Sequence, residues 1–268
     1  MDAPGDPAKQ TVGGWRWTEG QLSEVREQVA GECAVAIAFN DRPFAVMMMT
    51  PTELEAFVLG FALSEGIIMH PEELLHVDVR AADAGIQVDA RVPAERALAL
   101  VDRQRALSGR SGCGLCGASS LEQAVRRLPA VPDTLRMTHR ALQAAMARVA
   151  ERQLLNGATG GVHAAAWTQA NGAVLRIAED VGRHNALDKL IGALCREPID
   201  IAAGALLLTS RASHEMVQKA AAVGMQLVCA MSAPTALAIR QAEHCGVTLV
   251  AFARDGRHTV YSHPVRLT

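Results

Sequence analysis

The feature that most constrains this chain is the regular alternation of strand and helix signals from His163 onward. Two β-prone runs, His163–Gln169 and residues 173–178, flank Asn171-Gly172, a dipeptide suited to a tight hairpin. A helix with the stripe Leu187, Leu190, Ile191 and Leu194 follows. Strand 205–209 leads to helix 212–223, and strand Leu227–Ala230 leads to helix 233–244, with Ser232 as the expected cap and Gly246 as the stop. Strand 247–253, the turn Asp255-Gly256 and a short strand through Tyr261 close the pattern. Repeated strand–helix units predict a mostly parallel sheet with helices on both faces, hence an α/β fold.

The N-terminal part reads differently. Runs 32–39 and 44–49 surround Asn40-Asp41-Arg42-Pro43 and predict a hairpin. Thr50 and Glu53 have capping-box spacing and Pro51 suits a first helical position, ahead of the stripe Leu54, Phe57, Val58 and Phe61. Weaker strand signals lie at 75–79 and 86–92. A small α+β unit is expected over 15–108, a glycine-rich connection over 109–137 and the α/β domain over 138–268. In the connection's wake, Thr138 caps a helix reaching about Leu155, with Leu142, Met146 and Val149 on one side. Residues 1–14, polar and rich in Pro and Gly, are expected to be a loose tail without the apolar core of a signal peptide.

Composition excludes several classes of function. A formal charge of −2 over 268 residues argues against a dedicated nucleic-acid binder. No apolar run reaches the ~20 residues needed to cross a bilayer. Six cysteines without a secretion signal predict reduced thiols and a cytoplasmic location.

Gly112-Cys113-Gly114-Leu115-Cys116-Gly117 carries the most chemical information. Two thiols three positions apart can approach each other, and a neighbouring thiol or a helix end lowers a cysteine's pKa. The flanking glycines leave both sulfurs uncrowded, so a thiol or persulfide of another protein could reach them. Three blander readings compete. Half a zinc site is one, yet no second such pair exists and Cys33, Cys195, Cys229 and Cys245 stand singly as small hydrophobes. A thioredoxin-like redox pair is another, although that motif belongs at a helix start after a strand. A structural disulfide does not suit a reducing compartment.

Ligands of open α/β sheets sit beyond the carboxyl ends of the strands, where helix N-termini offer free N–H groups. Three segments fall there: Asp180-Val181-Gly182-Arg183-His184-Asn185, Thr209-Ser210-Arg211-Ala212-Ser213 and Ser232-Ala233-Pro234-Thr235. Arg183, His184, Ser210, Arg211 and Ser232 are therefore candidate anion-binding residues. Each has a plainer alternative: Ser232 and Asp180 could be caps, and His184 could be a packed core histidine. Glu215 and Lys219, at i,i+4 spacing, read as a solvated surface pair. His214-Glu215-Met216-Val217-Gln218 starts like a zinc-protease motif but lacks the second histidine, and no metal site is expected.

Taken in order, several stretches resemble the formate dehydrogenase accessory protein family, FdhD. They are Ala45-Val46-Met47-Met48, Gly60-Phe61-Ala62-Leu63-Ser64-Glu65-Gly66-Ile67-Ile68, the cysteine loop, Thr159-Gly160-Gly161-Val162-His163-Ala164-Ala165, and residues 180–189. Ser210-Arg211-Ala212-Ser213-His214-Glu215, residues 232–239 and Arg254-Asp255-Gly256-Arg257 complete the series. The similarity covers nearly everything after the first ~30 residues.

The resemblance implies a sulfurtransferase or sulfur carrier. It would accept persulfide sulfur from a cysteine desulfurase and pass it to a molybdenum cofactor carrying two guanine-dinucleotide pterins, destined for formate dehydrogenase. By the family pattern Cys113 carries the persulfide and Cys116 assists. Phe252, Ala253, Arg254, Asp255, Gly256 and Arg257 match the cofactor-binding stretch. The resemblance further implies a cytidine-deaminase-like C-terminal fold with a three-layer mixed sheet, a homodimer, and the molybdenum cofactor as a bound client rather than a permanent group. Ala251 and Ala118 depart from common family residues without touching the thiols. Deamination is not expected, because His163-Ala164-Ala165 lacks the general-base glutamate and the cysteine pair precedes it. Two other functions stay open: a non-catalytic chaperone that holds and delivers the cofactor, and a zinc or redox thiol module.

Overall fold

The computed structural model describes residues 6–105, 128–254 and 256–268. Its strands form three sheets: a two-stranded ribbon, a four-stranded sheet and a six-stranded sheet.

The ribbon corrects the expectation of a loose tail. Strand β1 (Lys9–Thr18) pairs antiparallel with β2 (Gln21–Ala30) along its full length. Glu19 and Gly20 both have positive φ, the geometry of a two-residue hairpin whose twist matches the strands.

In the N-terminal unit, β3 (Cys33–Phe39) and β4 (Arg42–Met49) form the expected hairpin, turned by Asn40 and Asp41 at φ 49° and 62°. Asparagine and aspartate tolerate that conformation. Asn40 also clamps Val92 from both sides, donating to its carbonyl at 2.9 Å and accepting from its N–H at 2.8 Å. Strands β5 (His76–Ala82) and β6 (Gly85–Arg91) complete the sheet in the order β4-β3-β6-β5, with β3 and β6 parallel. Helix α1 (Leu54–Ser64) covers it. The capping box does not form: Glu53 sits at the cap with φ 52° and no side-chain capping bond, and Thr50 is engaged elsewhere. Helix α2 (Ala94–Arg105) has no counterpart in the sequence reading.

The C-terminal unit begins with α3 (His139–Arg152), where Thr138 caps as expected by accepting from the Ala141 N–H, and a short α4 (Leu154–Thr159). Strands β7 (His163–Gln169), β8 (Val174–Asp180), β9 (Gly204–Leu208), β10 (Leu227–Ala230), β11 (Thr248–Arg254) and β12 (Arg257–Ser262) form one sheet, ordered β12-β11-β10-β9-β7-β8. Only β9-β10-β11 are mutually parallel; the other pairings are antiparallel, so the sheet is mixed rather than mostly parallel. Helices α5 (Arg183–Cys195), α6 (His214–Ala222) and α7 (Ala236–Cys245) connect the strands. Thr235, not Ser232, caps α7 by accepting from Ala238 N, and Gly246 ends it in the left-handed conformation.

Strand alternation builds the three layers. Leu206 and Leu208 of β9 join a core with Leu187, Leu190 and Ile191 of α5, whereas Ala205 and Leu207 face Leu142, Met146 and Val149 of α3. The first core runs on into the N-terminal unit through Phe57 and Phe61 of α1. The two units meet where α1 crosses α5. A Cβ on Gly60 would stand 1.8 Å from the Asp188 carbonyl oxygen, and one on Gly192 would stand 1.8 Å from that of Ala56. Glycine at both positions lets the helices touch backbone to backbone.

Candidate functional site

The carboxyl ends of β8, β9, β10 and β11, with the start of β7, share one edge of the large sheet. Beyond the strands the backbone stays in register. Ser232 N donates to Ser210 O at 3.4 Å, and Phe252 N donates to Ser232 O at 3.1 Å. The structure thus brings together Ser210, Ser232 and Phe252, which the sequence placed on separate segments. Phe252 adopts φ 54° inside a bulge of β11 and leaves its ring partly exposed. A left-handed phenylalanine is a strained residue of the kind that collects at ligand sites. Ala253 is buried beside it, Arg254 and Arg257 are exposed partners across the β11–β12 hairpin, and Gly256 turns it at φ 73°. Asp255 lies outside the described residues.

The β8–α5 turn is held by Asp180, whose side chain is fully buried. Its Oδ1 accepts from Gly182 N at 2.7 Å and Asn185 Nδ2 at 3.0 Å, while Oδ2 accepts from Thr50 N at 3.1 Å and pairs with Lys189 Nζ at 2.6 Å. Lys189 in turn donates to Thr50 O, and Thr50 Oγ1 accepts from Val181 N. Asp180 is therefore a strut between the units. Its effect on the site is to fix the start of α5, where Gly182 caps without a side-chain bond and Arg183 and His184 enter the first turn.

Helices α5 and α6 are joined by two charged rungs. His184 Nε2 stands 2.6 Å from Glu215 Oε2, and one turn on, Asp188 Oδ2 stands 2.9 Å from Lys219 Nζ. Lys219 also reaches Glu65 at 2.7 Å and Ser64 Oγ at 3.0 Å, with its ammonium 5.3 Å from the Phe61 ring centre. The expectation of a solvated Glu215–Lys219 pair is thus wrong: Lys219 is buried, and each residue answers a different residue of α5. His184 is half-buried against Glu215, at the rim rather than in the core.

The charge around this edge is positive. Burial, then the charges of Arg183 and His184, hold His163 below its ordinary value. Burial, then the like charge of Arg211, pull Arg183 below its ordinary value. Arg183 Nε is buried and has no hydrogen-bond partner among the described residues, and the same is true of Ser213 Oγ. Unanswered donors beside an arginine pair and a helix start suit an anion. Sequence reasoning placed His163 at a strand start and in a family-like stretch but not among the anion-binding candidates; its pairing with Asp180 across β7–β8 puts it in this group.

Cys113 and Cys116 lie outside the described residues. The other four cysteines are free thiols raised by burial: Cys195 to about 11, Cys33 and Cys245 upward, and Cys229 furthest. A thiol so raised is not a nucleophile at neutral pH. Among the described residues no cluster of three His, Cys, Asp or Glu could hold a metal ion, and no helix is long and apolar enough to cross a membrane.

Known proteins resemble this chain over nearly its whole length. "Sulfur carrier protein FdhD" of Cupriavidus necator is 48% identical over 262 residues, covering 97% of this chain and 91% of that protein. The protein so named from Xanthomonas campestris pv. campestris is 50% identical over 248 residues, covering 92% and 88%. A crystal structure from Desulfotalea psychrophila, of a candidate formate dehydrogenase accessory protein, superposes with a TM-score of 0.77 at 25% identity, covering 98% of this chain and all of that one. It supports the α/β fold described above. Residues 30–268 match the model of the FdhD/NarQ family, and with these relatives beside that match the chain belongs to the FdhD/NarQ family.

Proposed function

We propose that this chain is a sulfur carrier in the maturation of formate dehydrogenase, with Cys113 as the residue that bears the sulfur. The observation that carries the reading is family membership over residues 30–268 together with relatives named sulfur carriers at about half identity. The four described thiols add support, because burial holds each of them protonated and leaves the glycine-framed pair as the reactive candidates.

In this reading Cys113 thiolate attacks the outer sulfur of a persulfide on a cysteine desulfurase. The donor's S–S bond breaks and its cysteine leaves as thiolate, so Cys113 becomes a persulfide. Attack by the Cys116 thiol on the Cys113 sulfur expels the outer atom as hydrosulfide and leaves a Cys113–Cys116 disulfide, which an external thiol reductant reopens. The acceptor is a molybdenum cofactor with two guanine-dinucleotide pterins. Its phosphates would lie along the edge formed by Arg183, His184, Ser210, Arg211 and Ser232, beside the stretch from Phe252 to Arg257. The start of α5 and the arginine pair favour that edge for an anion.

The same edge favours a second reading, a chaperone that holds the cofactor while the cysteines stay secondary. Formate dehydrogenase activity in cells relying on this chain separates the two. Loss of maturation in Cys113→Ala supports sulfur transfer; full maturation with both Cys113→Ala and Cys116→Ala supports holding alone.

A further inference from the structure

The β1–β2 ribbon has a face that nothing among the described residues covers. In an antiparallel pair, residues directly opposite share a face, and so do residues two apart along a strand. The pairings Trp17 with Leu22, Trp15 with Glu24, Gly13 with Arg26 and Thr11 with Gln28 therefore line one side. Every one of these eight residues is exposed; Trp15 and Trp17 keep 69% of their surface in water and Leu22 keeps 63%. The opposite face carries Val12, Val25 and Val29 and the Arg16–Glu27 ion pair, with Val25 partly covered. A lone two-stranded hairpin is marginal in water, and a ribbon about 30 Å long with two bare tryptophans needs a covering layer.

Gly13, on this face, indicates what covers it; Gly14 lies on the other face. Glycine weakens a strand and marks places where another backbone or side chain comes close. Here neither glycine has positive φ, and a Cβ on either would meet nothing within 4 Å of its own chain. Nothing among the described residues calls for them.

We infer that this face packs against the same face of a second copy, making the ribbon a dimerisation arm. A twofold axis in the plane of the face and across the ribbon reverses the long direction and stacks β1 on β1 and β2 on β2. Centred between the Gly13–Arg26 and Trp15–Glu24 rungs, it lays Trp15 over the bare Gly13 of the second copy and sets Glu24 against that copy's Arg26. Both contacts are repeated by symmetry, as an isologous interface requires. Trp17 and Leu22 then cover Thr11 and Gln28. Glu24 and Arg26 make no ion pair among the described residues, so each is available to the other copy. Four tryptophans and two leucines bury on the order of 1,000 Å², the threshold of a specific interface.

The inference deepens the homodimer reading and is separable from it. Sedimentation equilibrium of the full chain gives the association constant. Wild type dimerises, and tryptophan emission shifts red on dilution through the same range, because the third tryptophan, Trp167, is buried. Gly13→Val raises strand propensity yet fills the seat of Trp15, so it weakens the dimer at least about tenfold while far-ultraviolet circular dichroism is kept. Glu24→Arg and Arg26→Glu each weaken it as well, and the two together restore it. A dimer of unchanged affinity in Gly13→Val and Glu24→Arg removes this interface and leaves the homodimer standing. A wild-type monomer at every concentration removes both.

Discussion

His184 Nε2 of α5 stands 2.6 Å from Glu215 Oε2 of α6. That close contact with His184, more than any other cause, holds the Glu215 carboxyl below its ordinary value of 4.5. A depressed carboxyl stabilises the fold above its unfolded pKa and loses that contribution as pH falls through the folded one. Glu215→Gln should therefore cost about 1 kcal/mol at pH 7, a modest figure because the carboxylate is partly in water. Urea unfolding of both proteins should show the gap closing below pH 4.5. A gap independent of pH would mean the carboxylate is not what stabilises.

The second rung is drier and should behave differently. Lys219→Met strands Asp188 in a site with no access to water, and losing one partner of a buried pair costs about 3–5 kcal/mol. Pairing it with Asp188→Leu removes the orphaned charge and should recover part of the loss. Chemical denaturation midpoints of the two variants give the comparison.

Gly192→Val tests the seam between the units. Its side chain would begin 1.8 Å from the Ala56 carbonyl oxygen, so α1 and α5 must separate. Overpacking at a backbone-to-backbone crossing should cost about 3 kcal/mol or more, read as a fall in the thermal midpoint. An unchanged midpoint would place the crossing elsewhere.

Removing a guanidinium from the edge should weaken anion binding. Arg211→Ala and Arg183→Ala should each reduce affinity for guanosine diphosphate about tenfold or more, the size of one charge-assisted hydrogen bond, with added salt narrowing the difference. Titration calorimetry measures it, and indifference in both variants would move the phosphate site away from this edge.

The elements readable in the sequence are those set by local chemistry. Asn40-Asp41 and Asn171-Gly172 turn their hairpins, Thr138 caps α3, and the apolar run Leu227–Ala230 is a strand. What escaped the reading depends on distant partners. Thr50 and Glu53 have the spacing of a capping box, but Asp180 and Val181, some 130 residues away, engage Thr50 instead. Glu215 and Lys219 look like surface neighbours until α5 arrives with His184 and Asp188 at the same spacing. The ribbon was hidden by Gly13 and Gly14, which imitate a loose tail. The strand-end segments were legible as a group, whereas the chain of bonds from Ser210 through Ser232 to Phe252 follows from sheet register. The cysteine loop was legible only as chemistry, since residues 106–127 are not described.

The most direct test is site-resolved mass spectrometry of the purified chain after incubation with a cysteine desulfurase and free cysteine. The account predicts one added sulfur atom, located by peptide mapping on Cys113 and lost in Cys113→Ala. Sulfur found on another cysteine, or retained in Cys113→Ala, would contradict it.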